Sequence, residues 1–169
     1  MVSFHGPRPQ FRAQHRQSFL ICAAAHLSLL SGPDRDGEFH PLAVKALHEA
    51  GDWLRVNGEA IYATRSMPLH WNDTASQFIR YTRSKDNTTI YAIALTSLKD
   101  AQPLPKTLTL ACVAPDAGSK IFMYGNNATA LDWSVVGGKV HLQVGTLPPA
   151  MTGKPGYAFK IIGQPAAQC

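Results

Sequence analysis

Asp34 and Asp36 are the first acidic residues of the chain, two apart in the run Gly32-Pro33-Asp34-Arg35-Asp36-Gly37. Two carboxylates held about 5 Å apart can act as nucleophile and acid/base in sugar chemistry. Here the neighbours argue for a turn instead, because Asp and Gly bend the backbone for local reasons. Histidines stand at 5, 15, 26, 40, 48, 70 and 141, and none has the His-x-x-x-His spacing that presents two metal ligands on one helix face. A serine nucleophile would be signalled by a Gly-x-Ser-x-Gly elbow, which the sequence lacks. Cys22, Cys112 and Cys169 have no Cys-x-x-Cys pairing, so neither a zinc site nor a disulfide framework is indicated, and at most one bridge can form. Cys112 reads as a small buried hydrophobe in a strand-like run. No catalytic residue, no metal ligand and no cofactor is assigned on these grounds.

Trp53, Trp71, Trp133, Tyr81, Tyr91 and Tyr124 could form a platform for sugar rings, although aromatic side chains of a β domain more often fill its core. Trp71 is the expected exception, because it follows Pro68-Leu69-His70 in a loop. Three sequons, at Asn72, Asn87 and Asn127, fall in expected loops and are possible N-glycosylation sites if the chain enters the secretory pathway.

The elements that must position these residues are legible as patterns. Leu42, Ala46, Leu47, Ala50 and Leu54 recur every three or four residues, which predicts a helix over Pro41 to Arg55 with Pro41 in its first turn. Gly51 inside it is either tolerated or needed for close packing. Asn57-Gly58 can take positive φ and stop the helix. From Glu59 the pattern is all-β. Strands are expected at Ala60–Thr64, Phe78–Arg83, Thr89–Leu95, Thr107–Val113, Lys120–Tyr124, Ser134–Val136, Lys139–Val144 and Tyr157–Ile162. Turn signals separate them at Lys85-Asp86-Asn87, Gly125-Asn126-Asn127 and Pro148-Pro149, with a two-residue hairpin at Gly137-Gly138. Val140, Leu142 and Val144 alternate with His141 and Gln143, as in a half-buried strand. Many short strands with close turns argue for a mainly β fold, an antiparallel β-sandwich preceded by one helix.

The 169 residues suit one ordinary domain, and the low charged fraction marks a globular chain. Of the net charge of +5, Arg8, Arg12 and Arg16 precede the first acidic residue. No basic stripe interleaved with aromatics is visible, so no nucleic-acid partner is expected. The apolar run from Ser18 to Leu30 is too short to span a bilayer as a helix, so no membrane span is expected. After a basic segment it resembles a secretory signal, though His26 interrupts its apolar core.

One stretch carries a family resemblance. Trp53-Leu54-Arg55-Val56-Asn57-Gly58-Glu59-Ala60-Ile61-Tyr62 is similar to the "W-L-x-x-N-G-E-A-I-Y" run that joins barrel to C-terminal domain in α-L-fucosidases of glycoside hydrolase family 29. Ile79-Arg80-Tyr81-Thr82 and Tyr91-Ala92-Ile93 resemble the first hairpin of that C-terminal domain. Leu29-Leu30-Ser31-Gly32-Pro33 with Asp36-Gly37 resembles the end of the last barrel strand, with Leu30 where the family has Asn. The resemblance implies an atypical N-terminal segment over 1–25, a remnant of the last barrel strand and helix over 26–58, and a C-terminal β-sandwich over 59–165. It favours reading Leu27 to Leu30 as barrel strand over a signal peptide.

The family hydrolyses α-L-fucosides with two carboxylates on its barrel. A complete barrel needs about 250 residues. No acidic residue of this chain matches the family's catalytic motifs, so the chain alone is expected to be inactive. Its implied partner is the catalytic barrel of the same polypeptide. Trp71, Glu59 and Arg65 are the possible barrel-interface residues, and the full enzyme could form a homo-oligomer. Lysosomal or secreted localisation is implied for the family. The alternative is a free-standing module that binds a glycan or a protein.

Overall fold

The computed structural model describes residues 33, 35–67, 79–96, 104–126, 129–163 and 166–167. Among the described residues one α-helix, α1 (Pro41–Asn57), runs straight into a 3₁₀ turn (Gly58–Ala60). Eleven strands follow among the described residues: β1 (Thr64–Ser66), β2 (Ile79–Ser84), β3 (Thr89–Leu95), β4 (Thr107–Leu110), β5 (Val113–Ala114), β6 (Lys120–Met123), β7 (Ala130–Leu131), β8 (Trp133–Val136), β9 (Lys139–Gln143), β10 (Gly156–Ile162) and β11 (Ala166–Ala167). A six-stranded sheet has the order β1-β2-β3-β10-β6-β7, a three-stranded sheet the order β4-β9-β8, and β11 pairs with β5. Every pairing is antiparallel.

Side chains alternate across each strand, and the six-stranded sheet therefore has two apolar faces. Ile79, Tyr81, Ile90, Ala92, Ile121, Met123, Phe159 and Ile161 point inward against Leu108, Leu110, Val140, Leu142 and Val144, forming the sandwich core. Tyr91, Ile93 and Ala158 point the other way and meet Trp53 and Ala60. The sandwich thus has a second, smaller core on its outer face, under the end of the helix.

The helix matches its expected start and extends two residues further. His40 caps it, the ring Nδ1 accepting from the Leu42 N–H at 3.2 Å. A Cβ at Gly51 would meet nothing within 4 Å, so that glycine is tolerated and not needed for packing. The stop differs from the expectation: Gly58 is right-handed at φ −62° and Asn57 lies at φ −109°. Gly58 instead lies close under the exposed Tyr62 ring, which would have to shift for a Cβ that would sit 2.7 Å from it. The positive φ falls on Ala63, at 55°.

The strand expected over Ala60–Thr64 is instead the 3₁₀ turn, a further bend and the start of β1. Ala60 is fully buried under the helix, and its carbonyl accepts from the Thr82 hydroxyl at 2.6 Å. That bond gives the carbonyl the partner that a strand ladder would have supplied. The run expected as one strand over Thr107–Val113 breaks at Ala111-Cys112. β4 then pairs with β9, while β5 pairs with β11. Cys112 is buried, as expected of its type, but it is disulfide-bonded rather than a plain hydrophobe. The Gly137-Gly138 hairpin is as expected, with φ of 59° and 75° and Val136 opposite Lys139. The segment 1–25 and the barrel strand expected at Leu27 to Leu30 lie outside the described residues.

Candidate functional site

The helix end is fastened to the six-stranded sheet by polar groups from three strands. The Trp53 indole Nε1 donates to the Gly156 carbonyl at 2.8 Å, at the start of β10. Thr82 of β2 holds the Ala60 carbonyl. Glu59, between these two anchors, accepts from Lys160 Nζ of β10 at 2.5 Å and from the Tyr91 hydroxyl of β3 at 3.0 Å. Period 2 puts Lys160 on the outer face with Ala158, and the ladder sets it beside Tyr91 on one side and Phe122 on the other.

Burial by itself would raise the Glu59 carboxyl, but the Lys160 ammonium and the Tyr124 and Tyr91 hydroxyls outweigh it and hold the group below its ordinary value. The carboxylate acts back on the phenols. Burial first, then the bond to Glu59, pushes Tyr91 up to about 12. Tyr124 is raised further, again by burial first and then by Glu59. Its buried hydroxyl lies near the carboxylate yet makes no bond of good geometry. Glu59 is therefore an ionised anchor among one cation and two neutral phenols. Retaining glycoside hydrolysis needs a second carboxylate about 5 Å away, and the groups acting on Glu59 include none. A shallow depression beside it is lined by Phe122, Met123, Tyr124, Gly125 and Lys160.

The helix presents a second feature. Its apolar stripe is engaged only at the C-terminal end, where Trp53 is buried and Leu54 packs against the outer core. Toward the N-terminus Leu42 is 60% and Leu47 42% exposed, with Phe39 at 48% just before the helix. Tyr62 and Val56 add further exposed apolar surface near the joint.

Of the residues singled out from sequence, Glu59 sits in the anchor and Arg65 lies exposed on edge strand β1, opposite Arg83. Trp71, Asn72 and Asn127 lie outside the described residues, as does Asp34. Asn87 is exposed at the tip of the β2–β3 hairpin. Asp36 lies in a turn beside Arg35, 3.7 Å away, with Gly37 at φ 86°. Trp53, Tyr81 and Tyr91 are core residues, while Trp133 and Tyr124 pack partly buried against the two cores. Lys160 and the role of Tyr124 were missed. The pairing of Lys160 with Glu59 spans 101 residues, and only the strand register brings them together. Among the described residues, no three His, Cys, Asp or Glu side chains gather to hold a metal ion, and no helix is long and apolar enough to cross a membrane.

The family described as alpha-L-fucosidase C-terminal domain matches residues 71–162. The alpha-L-fucosidase of Branchiostoma floridae is 33% identical over 118 residues, which cover 70% of this chain and 24% of that protein. The plasma alpha-L-fucosidase of Homo sapiens is 35% identical over 75 residues, covering 44% of this chain and 16% of that protein. The solved structure of Thermotoga maritima alpha-fucosidase in complex with a mechanism-based inhibitor superposes with a TM-score of 0.68 at 20% identity, over 88% of this chain and 33% of that one. The matched part of this chain thus spans about a quarter or less of these curated relatives.

Proposed function

This chain belongs to the α-L-fucosidase C-terminal domain family, and on that premise we propose that it is the non-catalytic sandwich of a fucosidase-like enzyme, bracing a catalytic barrel in the same polypeptide. The enzyme's reaction is hydrolysis of terminal α-L-fucose from glycoconjugates. The observation that carries the bracing role is the half-used helix. Leu42 and Leu47 continue the stripe that ends in buried Trp53, yet nothing among the described residues covers them. An apolar face of this kind marks a partner surface. On this reading the sandwich spans 59–165, and 26–58 is the end of the barrel. Glu59 and Arg65 lie at the rim of the interface, Glu59 as the group that ties the joint to β10. Trp71 is assigned to the same rim on sequence grounds alone. The plasma relative and the disulfide at Cys112 support a secreted or lysosomal enzyme.

The test is co-expression with the catalytic barrel of the Branchiostoma floridae relative. The two should co-purify, and the Leu42→Asp/Leu47→Asp double variant should lose the barrel while keeping its own melting transition, because both positions are exposed. The chain alone should not turn over an aryl α-L-fucoside. Turnover by the chain alone, or barrel binding indifferent to both substitutions, would overturn the reading.

The depression at Phe122 and Tyr124 favours a second reading, a glycan-binding module. It requires binding to immobilised fucosylated glycans that Phe122→Ala removes.

A further inference from the structure

We infer that Asn87 is an N-glycan attachment site, and that the transfer takes place on the nascent chain before the β2–β3 hairpin closes. The sequon Asn87-Thr88-Thr89 occupies the tip of that hairpin. Asn87 has a left-handed backbone at φ 63°, a conformation Asn tolerates better than most residues. Its side chain is exposed, and among the described residues its amide makes no hydrogen bond. The turn is held without it. The Asp86 carboxylate accepts from the Ser84 hydroxyl at 2.5 Å, the Thr88 N–H at 3.1 Å and the Thr88 hydroxyl at 3.0 Å. The Asn87 N–H donates to the Ser84 carbonyl at 3.1 Å. A sugar on the amide therefore breaks no hydrogen bond among the described residues.

The order of events follows from Thr89. A sequon is read as a pair, the Asn amide and the hydroxyl two residues on. In the folded hairpin Thr89 is buried, its N–H donates to Ser84 Oγ at 3.0 Å and its hydroxyl lies 3.5 Å from the Thr88 hydroxyl. Thr89 as a residue is thus withdrawn from solvent once the hairpin forms, whereas Asn87 stays outside. In the transfer, Asn87 Nδ2 attacks the anomeric carbon of a lipid-pyrophosphate-linked oligosaccharide. The new N–C bond forms, the C–O bond to pyrophosphate breaks, the lipid pyrophosphate leaves with the electron pair, and the amide nitrogen gives up one proton. The disulfide at Cys112 is an independent sign of the oxidising compartment in which this chemistry occurs.

The inference does not rest on the bracing role. It is tested with the full chain behind a cleavable secretory leader in human cells, with recovery from the medium or protease protection establishing luminal entry. Amidase release in ¹⁸O-water should convert Asn87 to labelled Asp in the recovered peptide. Asn87→Gln and Thr89→Ala should each remove one mobility step, and Thr88→Ala should not. A luminal chain whose Asn87 peptide is unmodified would overturn the inference. So would undiminished modification when the oligosaccharyl transferase and its lipid-linked glycan donor are supplied only to the purified, folded chain, since that would remove the requirement for an open hairpin.

Discussion

Trp53 and Gly156 stand 103 residues apart in sequence and 2.8 Å apart in the fold, indole N–H to carbonyl oxygen. This bond locks the helix end to the first residue of β10, at a point where a Cβ on Gly156 would lie 3.2 Å from the Ala94 carbonyl. Replacing Trp53 with Phe keeps most of the apolar contact but orphans a buried carbonyl, which costs about 1–3 kcal/mol. Trp53→Ala also opens a cavity and should cost about 3–5 kcal/mol. Urea unfolding measures both. An unchanged midpoint for Trp53→Phe would show that water replaces the indole without cost.

Glu59 makes the joint acid-sensitive. Its carboxyl is held below its ordinary value of 4.5 in the folded chain. A depressed carboxyl contributes stability that is present above the unfolded value and lost as pH falls through the folded one. The pair with Lys160 is partly solvated, the Glu59 side chain being 48% exposed, so Glu59→Gln should cost no more than about 1 kcal/mol at neutral pH. The difference between wild type and variant should shrink as pH falls below the ordinary carboxyl range and vanish once the folded carboxyl is protonated. A difference that persists in acid would mean that shape, and not charge, holds Glu59 in place.

Much of this fold was legible because its signals are local. The helix announced itself through period 3.6, β3 through an unbroken apolar run with the expected bounds, and the β8–β9 turn through two adjacent glycines. Val140, Leu142 and Val144 are buried as their alternation required. The failures fall where a distant group decides. Ile61 and Tyr62 have strand composition, but Thr82 and the buried Ala60 bend that stretch into a turn. The run through Cys112 breaks because its two ends join different sheets. β7 and β11 are two residues each, too short for any period to show. Glu59 was singled out through its place in a joint, whereas its partner Lys160 is fixed by register alone.

Tyr91 gives the alkaline limb. Its phenol is raised from 10.0 to about 12. A group raised in the fold contributes stability that is complete below the unfolded value and lost as pH rises through the folded one. Stability should therefore fall between about pH 10 and about pH 12. Phenolate absorbance should show a late-titrating step that Tyr91→Phe deletes and that denaturant moves back to the ordinary range. A folded chain whose tyrosines all ionise together would contradict the buried contact with Glu59.

Cys112 is fully buried and disulfide-bonded just where the chain leaves the three-stranded sheet. A bridge of this kind stabilises by about 2–4 kcal/mol, chiefly by restricting the unfolded chain. Reductant should lower the unfolding free energy of the wild type, read from urea titration, by that amount. Cys112→Ser should start at or below the stability of the reduced wild type, because a buried hydroxyl replaces the thiol, and should ignore reductant. If reductant still shifts the variant, the stabilising bridge lies elsewhere.

Gly163 ends β10 at φ 141°, where side chains are rarely accommodated, and a Cβ there would clash with Ser119 Oγ and lie 3.2 Å from Ser119 Cα and Cβ. Ser119 cannot easily retreat. It is buried, and its carbonyl accepts from the Trp133 indole at 3.3 Å. Gly163→Ala should therefore cost about 1–3 kcal/mol from backbone strain, with the clash added. Ser119 Oγ is itself buried without a hydrogen-bond partner among the described residues, so Ser119→Ala should be close to neutral or mildly stabilising. The two changes should then couple: Gly163→Ala should cost less by about 0.5 kcal/mol or more when Ser119 is already Ala, as expected for residues in contact. A double-mutant cycle by chemical denaturation reads this directly. Strict additivity would place the whole cost of Gly163→Ala in its own φ and none in the approach of β10 to Ser119.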